Sequence, residues 1–392
     1  MEVATREYLK RRFEDYYRSE RIPEPSHVTE REFGYIPWDD DTRMIRHRSV
    51  IQMDDFQDYF ATKRPRHVYM SAARFDNPSA STMEEKGRNA TTLVFDIDGD
   101  HLPGVDPDTI AYPDMLERGR KEVLKLIELL ESDFGFSDFD VFFSGGRGYH
   151  VHVYDDGVEA LSKDARQDMI EYLSTETVVL DDLLTDDAIG DLHWTSRASS
   201  SKSKQLIKDG WGDRIRDAVL EDLERIESLN QSDAVAEFRD IDGIGEKTAK
   251  GLVDFIDTDN PKIQSGVIDA HDGFSNYVEL VAHRVFLEQA AHVDEPVTTD
   301  LNRLMRLPGS LHGGTSLKVT EIPRGNLTEF NPLTDAIPDF FTGESVDVSM
   351  NSAVEIDVGG VSVDADAGDE YEFTEPVAMF LMSRGDAEYV AD

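Results

Sequence analysis

The run Thr91-Thr92-Leu93-Val94-Phe95-Asp96-Ile97-Asp98 constrains this chain more than any other stretch. Leu93, Val94 and Phe95 make an apolar run of the kind that fills a buried strand. A strand places residues i and i+2 on one face, so Asp96 and Asp98 project together from a rigid edge. Two carboxylates held that close repel one another and need a cation to stay ionised. Oxygen donors of this kind suit hard divalent ions such as Mg²⁺ or Mn²⁺. A surface strand that happens to carry two acids is the plain alternative.

A second segment, Val141 to Val153, reads as strand, glycine-rich turn, strand: VFFSGGRGYHVHV. Gly145, Gly146 and Gly148 let the backbone approach a ligand closely and expose its amides. Arg147 sits inside the turn, where a guanidinium can fork onto phosphate oxygens. On the returning strand Tyr149, Val151 and Val153 share one face, and His150 and His152 share the other. The segment reads as a polyphosphate cradle or as a tight hairpin with two solvent-facing histidines. A third segment, Thr298 to Gly314, offers Asp300, Arg303 and Arg306 a helix-turn apart, a Pro308-Gly309 stop and His312 in a glycine loop. Lys318 follows on an apparent strand, Leu317-Lys318-Val319. An ordinary amphipathic helix ending in a turn is the competing reading there.

Taken together the three segments resemble the small catalytic subunit of the archaeal and eukaryotic type of DNA primase. The matching pieces are FDID, SGGRGYHVHV and DLNRLMRLPGSLHG with Lys318. Arg31-Glu32-Phe33-Gly34, Met44-Ile45-Arg46-His47 and the stretch Val377 to Leu381 with Arg384-Gly385 resemble the family's amino-terminal segments and closing helix. The resemblance implies template-directed nucleotidyl transfer that makes short primers on single-stranded DNA from nucleoside triphosphates. It implies that Asp96, Asp98 and Asp300 are catalytic and hold two divalent ions, Mg²⁺ or Mn²⁺, roughly 4 Å apart. It also implies that Ser144, Arg147, His150, Arg306, His312 and Lys318 contact the nucleotide, and that a large primase subunit is the partner. Family members often carry a zinc knuckle just after the DxD strand. This chain has no cysteine; His101 lies in that neighbourhood without a thiolate, so no structural zinc is expected.

The 392 residues suffice for one large or two moderate domains. With 81 acidic residues against 40 basic ones the formal charge is −41, which argues against a chain that holds nucleic acid by a basic footprint alone. Acid spread along the whole sequence resembles proteins from salt-accumulating archaea, and four phosphate contacts carried from about 0.1 M to about 3 M salt would lose roughly four decades of affinity. Stacking, metal bridging and a partner subunit must then carry more of the template binding. The basic and aromatic residues between Asp54 and Ala73 (Lys63, Arg64, Arg66, His67, Tyr69) read as a template-facing surface or a solvated strand edge. No apolar stretch has the length of a membrane span or of a signal-peptide core, so a cytoplasmic protein is expected.

Helical spacing predicts helices over Thr5–Ser19, Met115–Phe134, Leu161–Leu173 and Phe274–Ala291, the last with Tyr277, Leu280, Val281 and Val285 buried. Asp242-Gly243-Ile244-Gly245-Glu246-Lys247-Thr248-Ala249 resembles the hairpin of a helix-hairpin-helix element or is a plain interhelical turn. Alternating valines from Gly343 to Glu370 predict a β-hairpin. The expectation is a mixed α/β (α+β) fold, with the primase catalytic domain discontinuous over 1–201 and 263–392 and a helical insert at 202–262. Three rivals share parts of the pattern: a haloacid-dehalogenase-like phosphatase, a non-catalytic nucleic-acid-binding subunit, and a repair-type polymerase of the same superfamily.

Overall fold

The computed structural model describes residues 1–39, 43–53, 55–187, 203–341 and 345–391. The expected domain boundary at 201/202 and Gly343 lie outside the described residues. The chain divides into two compact units: one of residues 1–127, 136–170 and 292–392, the other of 128–135 and 171–291. The second unit is wider than the 202–262 insert expected from composition. Both helices and antiparallel sheets are present, which makes the fold mixed α+β.

Two four-stranded antiparallel sheets organise the first unit. One runs in the order Thr320–Ile322, Phe139–Phe143, Gly148–Val153, Leu93–Asp98, and the other in the order Leu304–Arg306, Pro65–Ser71, Phe33–Pro37, Ile45–Arg48. In the first sheet Asp96 pairs with His150 and Asp98 with Gly148, while Val94 pairs with His152. Tyr149, Val151 and Val153 are fully buried on one face. His150 and His152 are also buried, at 5% and 3% exposure, so the pair does not face solvent. Gly148 is required by its neighbours: a Cβ there would lie 2.5 Å from the Ile97 carbonyl oxygen and 2.6 Å from Asp98 Oδ1.

Elsewhere in this unit the amino-terminal helix spans Val3–Ser19 and buries Leu9, Phe13 and Tyr16. Its Arg12 forks onto Glu375 at the start of the closing helix Glu375–Arg384, which ends at Gly385 with φ +84°. Glu32 is buried and accepts from Lys86, from Arg46 and from the His47 amide. The alternating valines form the hairpin Val354–Val358 with Val361–Ala365, closed by Gly359-Gly360, both at positive φ, as a type I′ turn requires. Ser345–Met350 pairs instead with Glu370–Thr374 and Ala387–Tyr389.

The second unit is largely helical, with helices Gly210–Glu227, Gln231–Arg239, Glu246–Phe255 and Phe274–Gln289 and a strand pair Leu184–Asp187 with Ser203–Leu206. Trp211 is buried and donates to the Tyr172 carbonyl at 2.9 Å. Arg214 ties Asp133, Glu128 and Gln289 together. The expected turn before Glu246 is present, with Gly243 at φ +77° and Gly245 capping the next helix. Leu280 corrects the expected stripe. Phe274, Tyr277, Val278, Val281, Ala282 and Val285 are buried, while Leu280 is 51% exposed and shares the outer face with Leu287, seven residues on. Among the described residues no helix is long and apolar enough to cross a membrane.

Candidate active site

The DxD strand delivers its acids to one face of the sheet, as its alternation requires. Asp96 is 8% exposed and lies 3.2 Å from His150 Nε2. That contact lacks hydrogen-bond alignment, and Asp96 Oδ1 is a buried acceptor without a hydrogen-bond partner. Burial, with the neighbouring carboxylates of Asp96 and Asp100, pushes the Asp98 carboxyl up. A buried carboxylate oxygen that accepts no hydrogen bond, set among like charges, is what a divalent ion would satisfy.

The third acid gathered at this point is Asp294. One carboxylate oxygen each from Asp98 and Asp294 and one ring nitrogen of His101 all lie within 4.8 Å of one another. The Asp294 amide donates to the Asp96 carbonyl at 2.8 Å, which stitches the late segment to the DxD strand. Asp294 then caps the short helix Glu295–Thr299, and its carboxyl is pushed up by burial and by Asp96. Asp300, the residue expected from sequence, lies at the far end of that helix. It is exposed, its carboxylate accepts from the Asn302 amide at 2.9 Å, and it is outside the cluster. The segment after it is strand rather than helix: Leu304–Arg306 pairs with Pro65–Ser71, so Arg303 and Arg306 are not a helix-turn apart.

Facing the acids is a group of imidazoles and guanidinia. Arg306 donates to His67 Nδ1 at 2.8 Å, and its guanidinium lies over the Tyr69 ring at 5.3 Å. The Gly313 amide also donates to His67 Nδ1, at 3.2 Å. His312 packs edge-on against His67, with centroids 4.8 Å apart, and its Nδ1 accepts from the Gly314 amide at 3.2 Å. Burial first, and then the adjacent arginines, push both His67 and His312 far below the usual imidazole range. Each is therefore neutral with Nδ1 as acceptor, which leaves the proton on Nε2. A Cβ on Gly146 would lie 2.8 Å from His312 Nε2, so this N–H borders the glycine turn.

Within that turn Ser144 is buried, and its hydroxyl oxygen accepts from the amides of Gly146 and Gly148. Its position shapes the turn. Arg147 pairs with Asp100 at 2.6 Å while remaining more than half exposed. A cavity of about 400 Å³ opens here, lined among others by Asp100, Tyr112, Gly146, Arg147, His312 and Arg384. It lies within the size range of small-ligand sites. Lys318 is not among its walls. Leu311 and Lys318 form an isolated bridge, the strand begins only at Thr320, and Lys318 lines a different cavity of about 570 Å³ together with His152.

The structure thus brings together Asp96, Asp98, His150, Arg306, His312, Arg147 and Ser144 around one sheet edge, and leaves out Asp300 and Lys318. Asp294 and Arg384 carry no site signal in the sequence, and His67 and Tyr69 stand in it only as members of a basic and aromatic stretch. Chemically, acids opposed by guanidinia and neutral imidazole donors can hold a polyphosphate together with divalent ions.

The family described as DNA primase small subunit matches residues 95–322. Proteins named DNA primase small subunit PriS are similar along the whole chain. The one from Haloarcula marismortui is 38% identical and the one from Halorubrum lacusprofundi 40% identical, each over 99% of this chain and 98–99% of its own length. The one from Methanothrix thermoacetophila is 35% identical over 99% of this chain and all of its own. The chain belongs to the DNA primase small subunit family. Many of its relatives come from halophilic archaea, in line with the acid excess.

Proposed function

We propose that this chain synthesises short primers on single-stranded DNA by template-directed nucleotidyl transfer, as the catalytic partner of a large primase subunit. In this reaction the 3′-hydroxyl of the growing strand gives up its proton to solvent, and its oxygen forms a bond to the α-phosphorus of a nucleoside triphosphate. The bond between the α-phosphorus and the bridging oxygen to the β-phosphorus breaks, and pyrophosphate leaves. The observation that carries the reading is the convergence of Asp98 and Asp294, beside an Asp96 Oδ1 that accepts no hydrogen bond, opposite the Arg306, His67 and His312 group.

Asp96, Asp98 and Asp294 would hold the divalent ions, Mg²⁺ or Mn²⁺. Such ions, when bound, lower the pKa of the attacking hydroxyl and neutralise charge on the leaving group. The remaining work belongs to the chain's own side chains. His312 presents Nε2–H, and Arg306 and Arg147 present guanidinium donors, to the triphosphate oxygens. The Gly145 to Gly148 backbone lets those oxygens come close, and Ser144 keeps the turn in shape. His150 lies 3.2 Å from Asp96 Oδ1 and flanks it on the paired strand. The acids attract the divalent ions, and the ions with the guanidinia offset the charge of the incoming triphosphate.

Membership of the family along the full chain favours this reading over a phosphatase, and the assembled acids speak against a non-catalytic subunit. A repair-type polymerase would share the site, but relatives named as small subunits along their whole length support a replicative role. The test is incorporation of labelled nucleotides on circular single-stranded DNA at high potassium chloride, by the purified chain alone and with its large subunit. Primer-length products that require template support the proposal. Template-independent phosphomonoester hydrolysis without synthesis would overturn it.

A further inference from the structure

We propose that His101 is a protein ligand to one of the catalytic ions and that its imidazole biases this centre towards Mn²⁺-type transition-metal ions over Mg²⁺. The inference deepens the reading of the acids as an ion site and rests on it.

Three observations meet here. First, the ring nitrogen of His101 lies among the carboxylate oxygens of Asp98 and Asp294, all within 4.8 Å of one another. Donors about 2.1 Å from an octahedral ion are about 3.0 Å apart at right angles and about 4.2 Å apart across the ion. The 3.9 Å from His101 Nδ1 to Asp98 Oδ2 falls between these values, about 0.3 Å short of the separation across the ion and about 0.9 Å beyond the right-angle one. Second, the backbone is folded to make this approach. The His101 amide donates to the Asp98 carbonyl at 3.0 Å, and this tight turn brings residue 101 back over residue 98. The imidazole is 68% exposed, and its contact with Asp98 is too long for a hydrogen bond. Packing therefore neither holds it away from an ion nor explains its position. Third, the neighbouring Asp96 is 8% exposed and its Oδ1 accepts no hydrogen bond, the His150 Nε2 at 3.2 Å lying out of alignment, so a cation on this face would stabilise it.

The chemical consequence follows from the donor set. Mg²⁺ binds oxygen and keeps its waters, whereas Mn²⁺ and the later first-row ions accept imidazole nitrogen more readily. A centre of carboxylates alone discriminates little between Mg²⁺ and Mn²⁺. Adding one imidazole raises affinity for Mn²⁺ selectively.

The experiment uses the full chain in concentrated potassium chloride, titrated with Mn²⁺. The free ion is counted by electron paramagnetic resonance, and the bound ion is interrogated by pulsed methods for coupling to ¹⁴N. The wild type should show nitrogen coupling. It should persist in His150→Ala and disappear in His101→Ala. The latter should lose at least about tenfold in Mn²⁺ affinity, while competition by Mg²⁺ changes by less than about threefold. Circular dichroism checks that the exposed-loop variant is folded, and the wild-type spectrum is informative by itself. Absence of nitrogen coupling in the wild type, its survival in His101→Ala, or equal losses for both ions would overturn the assignment. If no Mn²⁺ binds, both this inference and the ion-site reading fail. If nitrogen coupling is present but no primer is made, the function fails and the ligand stands.

Discussion

Replacing Asp294 and Asp300 separately by asparagine separates the two acids that the sequence offers as the third member of the site. Asp294→Asn removes one unit of charge from a cluster whose donors lie within 4.8 Å. A unit charge at about 4 Å with an effective dielectric constant near 20 is worth about 4 kcal/mol, or roughly three decades of rate if it is fully expressed in the transition state. Asp300→Asn keeps the oxygen that accepts from the Asn302 amide and touches no other acid of the site, so it should change rate by less than about threefold, as exposed substitutions do. The assay is single-turnover extension of a primed single strand at saturating nucleotide, with thermal melting to confirm that both variants fold. Mn²⁺ titration of the same samples should show weakened ion binding for Asp294→Asn alone. Equal activity of the two variants, or an inactive Asp300→Asn beside an active Asp294→Asn, would refute the geometric argument.

Two further outcomes follow from side chains outside the acid cluster. Arg147→Ala should raise the KM for nucleotide several-fold with little change in kcat, whereas Lys318→Ala should leave KM within about twofold, because Lys318 lines the other cavity; steady-state kinetics on one template distinguishes them. Burial would raise the Glu32 carboxyl, but the Lys86 and Arg46 hydrogen bonds outweigh it and hold the group below its usual range. Its contribution to stability is therefore complete above the unfolded value of about 4.3 and is lost as pH falls through the lower folded value. Glu32→Gln leaves the Lys86 ammonium buried and should cost about 3–5 kcal/mol at pH 7. Urea melts should show that gap narrowing only below about pH 4.3, and a gap independent of pH would contradict the assignment.

How far the site could be read from sequence depends on whether its geometry is local. The acids on the DxD strand and the glycine turn are set by a period of two and by a tight reversal, both visible within ten residues. Asp294 is different. The segment from His292 to Asp300 contains three acids, and which of them reaches Asp96 depends on a backbone hydrogen bond across the fold and on where a five-residue helix begins. Neither has a signature in spacing. Lys318 stands on an isolated bridge with Leu311, and the strand begins only at Thr320, so an apolar-Lys-apolar triplet does not by itself locate the side chain. Leu280 shows the same limit in the second unit, where apolar residues on two sides of a helix cannot be ranked until its neighbours are known.

The hydrogen bond from Asp294 to the Asp96 carbonyl also has a temporal meaning. More than a hundred residues separate the histidine strand from the segment that closes the acid cluster, and most of the second unit is made in between. A nascent chain halted on the ribosome before that segment emerges carries the first two acids without their companion. Ion capture should begin late in translation, so an enzyme cut short upstream of residue 294 would be left unable to arm itself.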